Sequence, residues 1–279
     1  MDTFLQQMLA DEERQAGAHD YLAYHHKRFE YVIALCQQLK PRPDTRVLDI
    51  GRSYLSLLLA EHYESVTTLG LPLGLPLDAH GFGGSSRPEY EGKGPAGHIV
   101  FNLNDCGNAV PPTDTKFDLI VFGETIEHLV TPPELVLHTL AGMLDKNGVL
   151  LVQTPNAASL RNRLMLLAGR NPFLRLRFNQ NNPGHIREYT KTELKEIGEV
   201  AGLHTVQHEY KDYFTDKRPG WKGLVEAAIG IIAAMVQSFR MGQTIVYSHA
   251  SIPLSDHPNP ATGNHLKTDQ REGRPGRSV

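Results

Sequence analysis

Apolar positions along the chain fall into two rhythms that take turns. Phe29, Val32, Ile33, Cys36 and Leu39 recur at helical spacing, and Pro41 and Pro43 stop that helix. Short apolar runs then alternate with helical patterns. RVLDI (46–50) precedes a helix over Leu55–His62; SVTTL (65–69) and HIVF (98–101) follow; FDLIVF (117–122) precedes a helix over Pro132–Leu144; GVLLVQT (148–154) comes next. Strands alternating with helices predict βαβ units, a parallel sheet with helices on both faces, doubly wound through right-handed crossovers. Thr190 and Glu193 read as a capping box before Leu194, Ile197, Val200 and Ala201, with Gly202 ending the helix. HTVQHEY (204–210) and QTIVYS (243–248) alternate as two further strands.

Three stretches break the rhythm. Residues 70–97 hold eight glycines where a crossover helix is expected, and read as a long functional loop. GLVEAAIGIIAAMVQSF (223–239) is apolar almost all round but too short to span a bilayer. It either packs against the sheet or docks at a membrane interface. From Ile252 the chain is rich in Pro, Gly and charge, which predicts a disordered tail. The organisation expected is an N-terminal helical segment (1–40), a main domain (41–250) carrying an insertion (211–242), and a tail (251–279).

Composition narrows the function classes. Of 279 residues, 28 are Lys or Arg and 31 Asp or Glu, a net charge of −3 that argues against bulk nucleic-acid binding. Two cysteines, Cys36 and Cys106, make neither a disulfide framework nor a zinc cluster. The N-terminus is acidic and lacks a long apolar core, so no secretory signal is read and a soluble cytoplasmic protein is expected.

In open α/β sheets ligands sit beyond the carboxyl ends of the strands, so the residues there are the candidates for chemistry. Asp49 and Gly51 follow the first strand; NLND (102–105) follows the third; Gly123, Glu124, Glu127 and His128 crowd the end of the fourth. VLDIG (47–51), NLND, FDLIVFGETIEHL (117–129), GVLLVQTPN (148–156) and GHIREYTKTEL (184–194) together resemble the class I S-adenosylmethionine-dependent methyltransferases. The resemblance spans roughly residues 28–250. It implies a mostly parallel seven-stranded sheet in the order 3-2-1-4-5-7-6, with the last strand antiparallel. It also implies S-adenosylmethionine as cofactor, bound by Asp49, Gly51, Ser53, Asn104, Asp105 and Gly123. Two departures stand out. The family's first loop carries glycines where this chain has Ser53 and Leu55, and its second strand ends in an acid where this chain has Gly70, with Asp78 in the loop beyond.

If Gly123–Leu129 enters a helix, Glu124, Glu127 and His128 stand at i, i+3 and i+4 and stack on one face. His185 follows the fifth strand and can approach from the other side. Two carboxylates and two imidazoles make a candidate divalent-cation site, with Mn, Fe or Co better suited than Mg to the histidines. The E..EH…H pattern resembles two metal-dependent branches of the family: the O-methyltransferases of ubiquinone biosynthesis and the small-RNA 2′-O-methyltransferases. The alternatives are a metal-free general base, His128 or His185 assisted by Glu127, or a structural EH pair.

From Lys146 to Arg187 there are 42 residues without an Asp or Glu, among them Arg161, Arg163, Arg170, Arg175, Arg177 and Arg187. Within this stretch, 157–178 interleaves Arg with Leu, Met and Phe, which suits an anionic membrane surface or a phosphate-bearing acceptor and is otherwise a solvated face. The activity expected is O-methylation of a small-molecule, lipid or sugar hydroxyl. RNA ribose methylation is the second reading, weakened by the lack of an aromatic-and-basic RNA module, and a catalytically inactive binding protein is the third.

Overall fold

The computed structural model describes residues 21–72, 94–177, 184–213, 229–233 and 235–249. The predicted tail, Asp78 and most of the glycine-rich loop lie outside these residues. The elements are α1 (Tyr21–Leu39), β1 (Arg46–Ile50), α2 (Tyr54–His62), β2 (Ser65–Gly70), β3 (Gly97–Val100), β4 (Phe117–Gly123), α3 (Pro133–Met143), β5 (Leu144–Pro155), α4 (Leu160–Leu167), α5 (Lys191–Val200), β6 (His204–Lys211) and β7 (Gly242–Ser248). The seven strands form one sheet in the order β3-β2-β1-β4-β5-β7-β6. Pairs among β1 to β5 are parallel; β7 runs antiparallel to both β5 and β6.

Both faces of the sheet are covered, which is why its central strands read as unbroken apolar runs. Successive side chains point to opposite faces. Val47, Leu119, Val121, Val149 and Leu151 pack against Phe29, Val32 and Cys36 of α1 and Leu55 and Leu59 of α2. Leu48, Ile120, Phe122, Leu150 and Val152 pack on the other face against Val136, Leu137 and Leu140 of α3 and Leu194 and Ile197 of α5. The α1 helix is thus part of the same core as the sheet.

The capping box at the start of α5 is present in both arms, and Gly202 (φ +81°) stands where the helix ends. Gly198 lets α5 lie close on β7: a Cβ there would stand 2.3 Å from the Tyr247 ring. Val200, expected on the buried stripe, is instead exposed; Leu194, Ile197 and Gly198 already make the contact and Val200 falls beyond it. The fifth strand begins at Leu144 rather than Gly148, directly after α3. The segment 223–239 is described only in part, and there Ile231, Ile232, Met235 and Val236 are exposed while Ala233 is buried. Packing against the sheet therefore does not account for these four side chains.

The carboxyl ends of β1, β2, β4 and β5 open on one side, and the period-2 rule sorts the polar residues that end them. Asp49 and Gln153 continue the faces of Val47 and Leu151, toward α1 and α2. Thr154 continues the face of Val152, toward the turn after β4.

Candidate active site

The stretch after β4 does not enter a helix. Ile126–His128 forms a single 3-10 turn, and α3 begins only at Pro133, after Thr131 and Pro132. Ile126 is fully buried and pins the turn beneath the site. Glu124, just before it, has φ +50°, the one non-glycine residue in left-handed backbone among the described residues. The expected i, i+3, i+4 stack is therefore absent.

The structure nonetheless brings three of the four expected ligands together. Donor atoms of Glu127, His128 and His185 all lie within 4.8 Å of one another; Glu124 is not in that group. His185 arrives because the Ile186 and Arg187 amides both donate to the Glu127 carbonyl (2.7 and 3.2 Å), tying the 184–190 stretch to the turn. Glu127 is completely buried. Its Oε2 accepts from the Thr154 hydroxyl (2.9 Å), while Oε1 is buried without a hydrogen-bond partner and stands 3.9 Å from His128 Nε2. Burial, with the Glu124 carboxylate beside it, pushes the Glu127 carboxyl well above the usual carboxylate range.

His128 is oriented by its other nitrogen. Nδ1 lies 3.0 Å from the Gly184 carbonyl, which can only accept, so Nδ1 carries the proton and Nε2 presents a lone pair. Burial and the neighbouring His185 lower its pKa to about 4, so the ring is neutral near pH 7. The two imidazoles meet edge to face at 4.9 Å. His185 Nδ1 pairs with Glu188 Oε1 at 2.9 Å, leaving Nε2 as its free nitrogen.

On the α1 side stands a residue absent from the sequence-based candidates. Arg28 is 3 % exposed, and its Nε donates to His25 Nδ1 (3.2 Å) and its Nη1 to Gln153 Oε1 (3.3 Å). The guanidinium passes over Gly123, where a Cβ would stand 3.4 Å from Nη1. Its charge opposes the burial that raises the Asp49 and Glu124 carboxyls. Gln153 Nε2 is buried and makes no hydrogen bond of ordinary geometry. The signal for Arg28 was faint: a lone Arg on the apolar side of a helical pattern, between Phe29 and His25.

The expected cofactor residues are placed differently from one another. Asp49 is buried and bonds Ser56 Oγ at 2.5 Å; it supports the loop rather than facing the crevice. Ser53 caps α2 reciprocally with Ser56. Gly51 has φ +80°, and among the described residues a Cβ there would meet nothing nearer than Thr125 Oγ1 at 3.9 Å. Asn104 Oδ1 accepts from the Val130 and Thr131 amides (2.9 and 3.3 Å), fixing the loop after the 3-10 turn, while Asp105 is exposed. Gly70 ends β2 close to Gly51 Cα and His98, without a carboxylate at that position.

Residues 24–208 match the family model described as a methyltransferase domain. No curated protein matches the chain. Among solved structures, the chain is similar to one in the complex between the Haloferax volcanii Trm112 methyltransferase activator and a methyltransferase. That match has 12 % identity and a TM-score of 0.56, and covers 91 % of this chain and 99 % of that one. It is also similar to an S-adenosylmethionine-dependent methyltransferase from Clostridium acetobutylicum, with 12 % identity and a TM-score of 0.52, over 83 % of this chain and 96 % of that one. At such identities these likenesses speak for the fold.

Proposed function

The chain belongs to the methyltransferase-domain family, and from that premise we propose that it methylates an acceptor hydroxyl, using S-adenosylmethionine and a divalent cation held by Glu127, His128 and His185. One observation carries the acceptor half of this reading: the buried, unpartnered Glu127 Oε1 facing the lone pair of His128 Nε2 across 3.9 Å. Ligand–metal bonds of ~2.0–2.2 Å put two donors of one ion ~3–4 Å apart, so that gap suits a shared cation better than a hydrogen bond. Closing the whole trio onto an ion needs only a small contraction. Glu188 then holds the His185 ring from behind, as the outer partners of metal-bound histidines do.

The crevice also fits the cofactor. S-adenosylmethionine, when bound, supplies an electrophilic methyl group. Gly51 leaves room for it against the end of β1, and Arg28 offers a buried cation to a ligand carboxylate, close to Gly123. A cation at the trio would supply Lewis acidity to the acceptor oxygen. An alcohol is too weakly acidic to attack unaided near neutral pH. His128, with a pKa lowered to about 4, is a poor proton acceptor there but a good neutral nitrogen ligand, which favours metal binding over the general-base alternative. Small-molecule, lipid or sugar hydroxyls all suit this chemistry.

The test separates the two halves. Titrating S-adenosylhomocysteine and Mn²⁺ into the protein calorimetrically should give one site for each. Absence of S-adenosylhomocysteine binding would remove the reading altogether. Binding of it with no Mn²⁺ site would keep the methyltransferase and remove the cation.

A further inference from the structure

Helix α4 is inside out. Its buried side chain is Asn162, whose Nδ2 donates to the Ala157 carbonyl at 3.1 Å, while Leu164, Leu166 and Leu167 face outward. The chain beyond it continues the inversion with exposed Phe173, Leu174 and Leu176; Leu167 and Leu174 are 84 % and 85 % accessible. A second stretch borders it: the 3-10 turn Gln237–Phe239 contacts α4, and Arg163 stacks over the Phe239 ring at 5.6 Å. That stretch adds exposed Ile231, Ile232, Met235, Val236 and Met241. Eleven of the seventeen exposed large apolar side chains among the described residues come from these two stretches, so they are a concentration rather than scatter.

Charge identifies what covers this face. Arg163, Arg170, Arg175 and Arg177 interleave with the leucines, and no Asp or Glu occurs from Lys146 to Arg187. Arg170, Arg175 and Arg177 pair with no carboxylate among the described residues. Asp212, at the border, accepts from the Met241 amide (2.8 Å). Protruding leucines and methionines among arginines, free of acids, match the two layers of an anionic bilayer surface: acyl chains for the side-chain tips and phosphates for the guanidiniums. No helix among the described residues is long and apolar enough to cross a membrane. We infer that the face formed by α4, residues 173–177 and residues 231–241 docks this protein on anionic lipid bilayers. The inference does not depend on methyl transfer. The face runs up to the site, since the Arg177 side chain lies against Gly184, whose carbonyl orients His128.

Vesicle flotation of the full chain tests it. Wild type should float with phosphatidylcholine vesicles containing phosphatidylglycerol, stay behind with phosphatidylcholine alone, and release as salt rises. The double variants Leu167→Ser/Leu174→Ser and Arg170→Glu/Arg175→Glu should each lower the partition coefficient by roughly 10-fold or more. All four positions are on the surface, and unchanged S-adenosylhomocysteine binding and circular dichroism would show that the fold is intact. No flotation at low salt overturns the proposal, as does equal binding to neutral vesicles or indifference to both double variants. A concentration-dependent dimer broken by the leucine variant, without vesicle binding, would give the face to a second copy instead.

Discussion

The two halves of the crevice are built on opposite terms. In the half formed by β1, β2 and the turn after β3 the polar groups are occupied by the protein itself: Asp49 by Ser56, Ser53 by its capping partner, Asn104 by the loop amides. In the half formed by β4 and β5 they are left waiting. Glu127 Oε1 and Gln153 Nε2 are buried without hydrogen-bond partners, and Glu124 sits in left-handed backbone. Native proteins satisfy nearly all buried polar groups, so each such atom at the end of these strands marks a place where an absent group is expected, although Thr205 Oγ1 and Arg240 Nε are unsatisfied elsewhere among the described residues. On the proposed function, the satisfied half would be a floor for the cofactor and the unsatisfied half the place where specific bonds to ligand would form.

The satisfied half still carries the cost of a buried acid, and the largest effect should come from there. Burial raises the Asp49 carboxyl to about 7, against the opposing hydrogen bond from Ser56 and the charge of Arg28. A carboxyl raised on folding contributes stability that is full below its unfolded pKa and is lost as pH climbs through the folded one. Stability from this group therefore falls between about pH 4 and 7, by at most ~4 kcal/mol for a three-unit shift. Asp49→Asn should be more stable than wild type at pH 8 and differ far less at pH 4. Urea melts of both proteins at both pH values check this; a gap independent of pH would mean that Asp49 is ionised throughout.

In the unsatisfied half, Glu127→Gln keeps the shape and the Thr154 contact but removes the charge. Loss of even an outer partner of a metal ligand costs ~10–100-fold in affinity, so Mn²⁺ binding should weaken by at least ~100-fold. S-adenosylhomocysteine binding should stay near the wild-type value. Retained Mn²⁺ affinity would place the cation elsewhere or nowhere.

Arg28 spans the boundary between the halves. Charge-assisted hydrogen bonds contribute ~1.5–3 kcal/mol, so Arg28→Met should weaken S-adenosylhomocysteine binding by ~10-fold or more. Methylthioadenosine, which lacks the amino-acid carboxylate, should bind both proteins alike. Equal weakening for the two ligands would make Arg28 a support for Asp49 and Gln153 rather than a ligand anchor.

The sequence made one of these halves easier to see than the other. Strand alternation is local, so the sheet, its main helices and the α5 capping box were legible, and of the four residues in the E..EH…H pattern the fold brings Glu127, His128 and His185 together but not Glu124. The turn geometry was not legible: helical spacing was assumed after β4, whereas Pro132 and Pro133 delay the helix and leave one 3-10 turn. Arg28 and Gln153 are 125 residues apart and meet only because α1 packs over the sheet. The surface character of 157–178 was legible in the interleaving of Arg with Leu, Met and Phe, but the helix α4 within it was not.

The smallest effect concerns the strain at the boundary. A non-glycine residue in left-handed backbone costs of order 1–3 kcal/mol. Glycine removes that cost but adds ~0.4–1 kcal/mol through the freedom it gives the unfolded chain. Glu124→Gly also removes a half-buried carboxyl whose pKa is raised chiefly by burial and partly restored by Arg28. The net gain should be about 1 kcal/mol, or a rise of ~2–4 °C in Tm for a domain of this size. Function should move the other way, because Glu124 is placed between Arg28 and His185, and its charge acts on both sides of the crevice. A higher Tm with weaker Mn²⁺ binding would show that the backbone is held in this conformation for the site. An unchanged Tm would mean the turn relaxes freely, and that Glu124 adopts left-handed backbone at little cost.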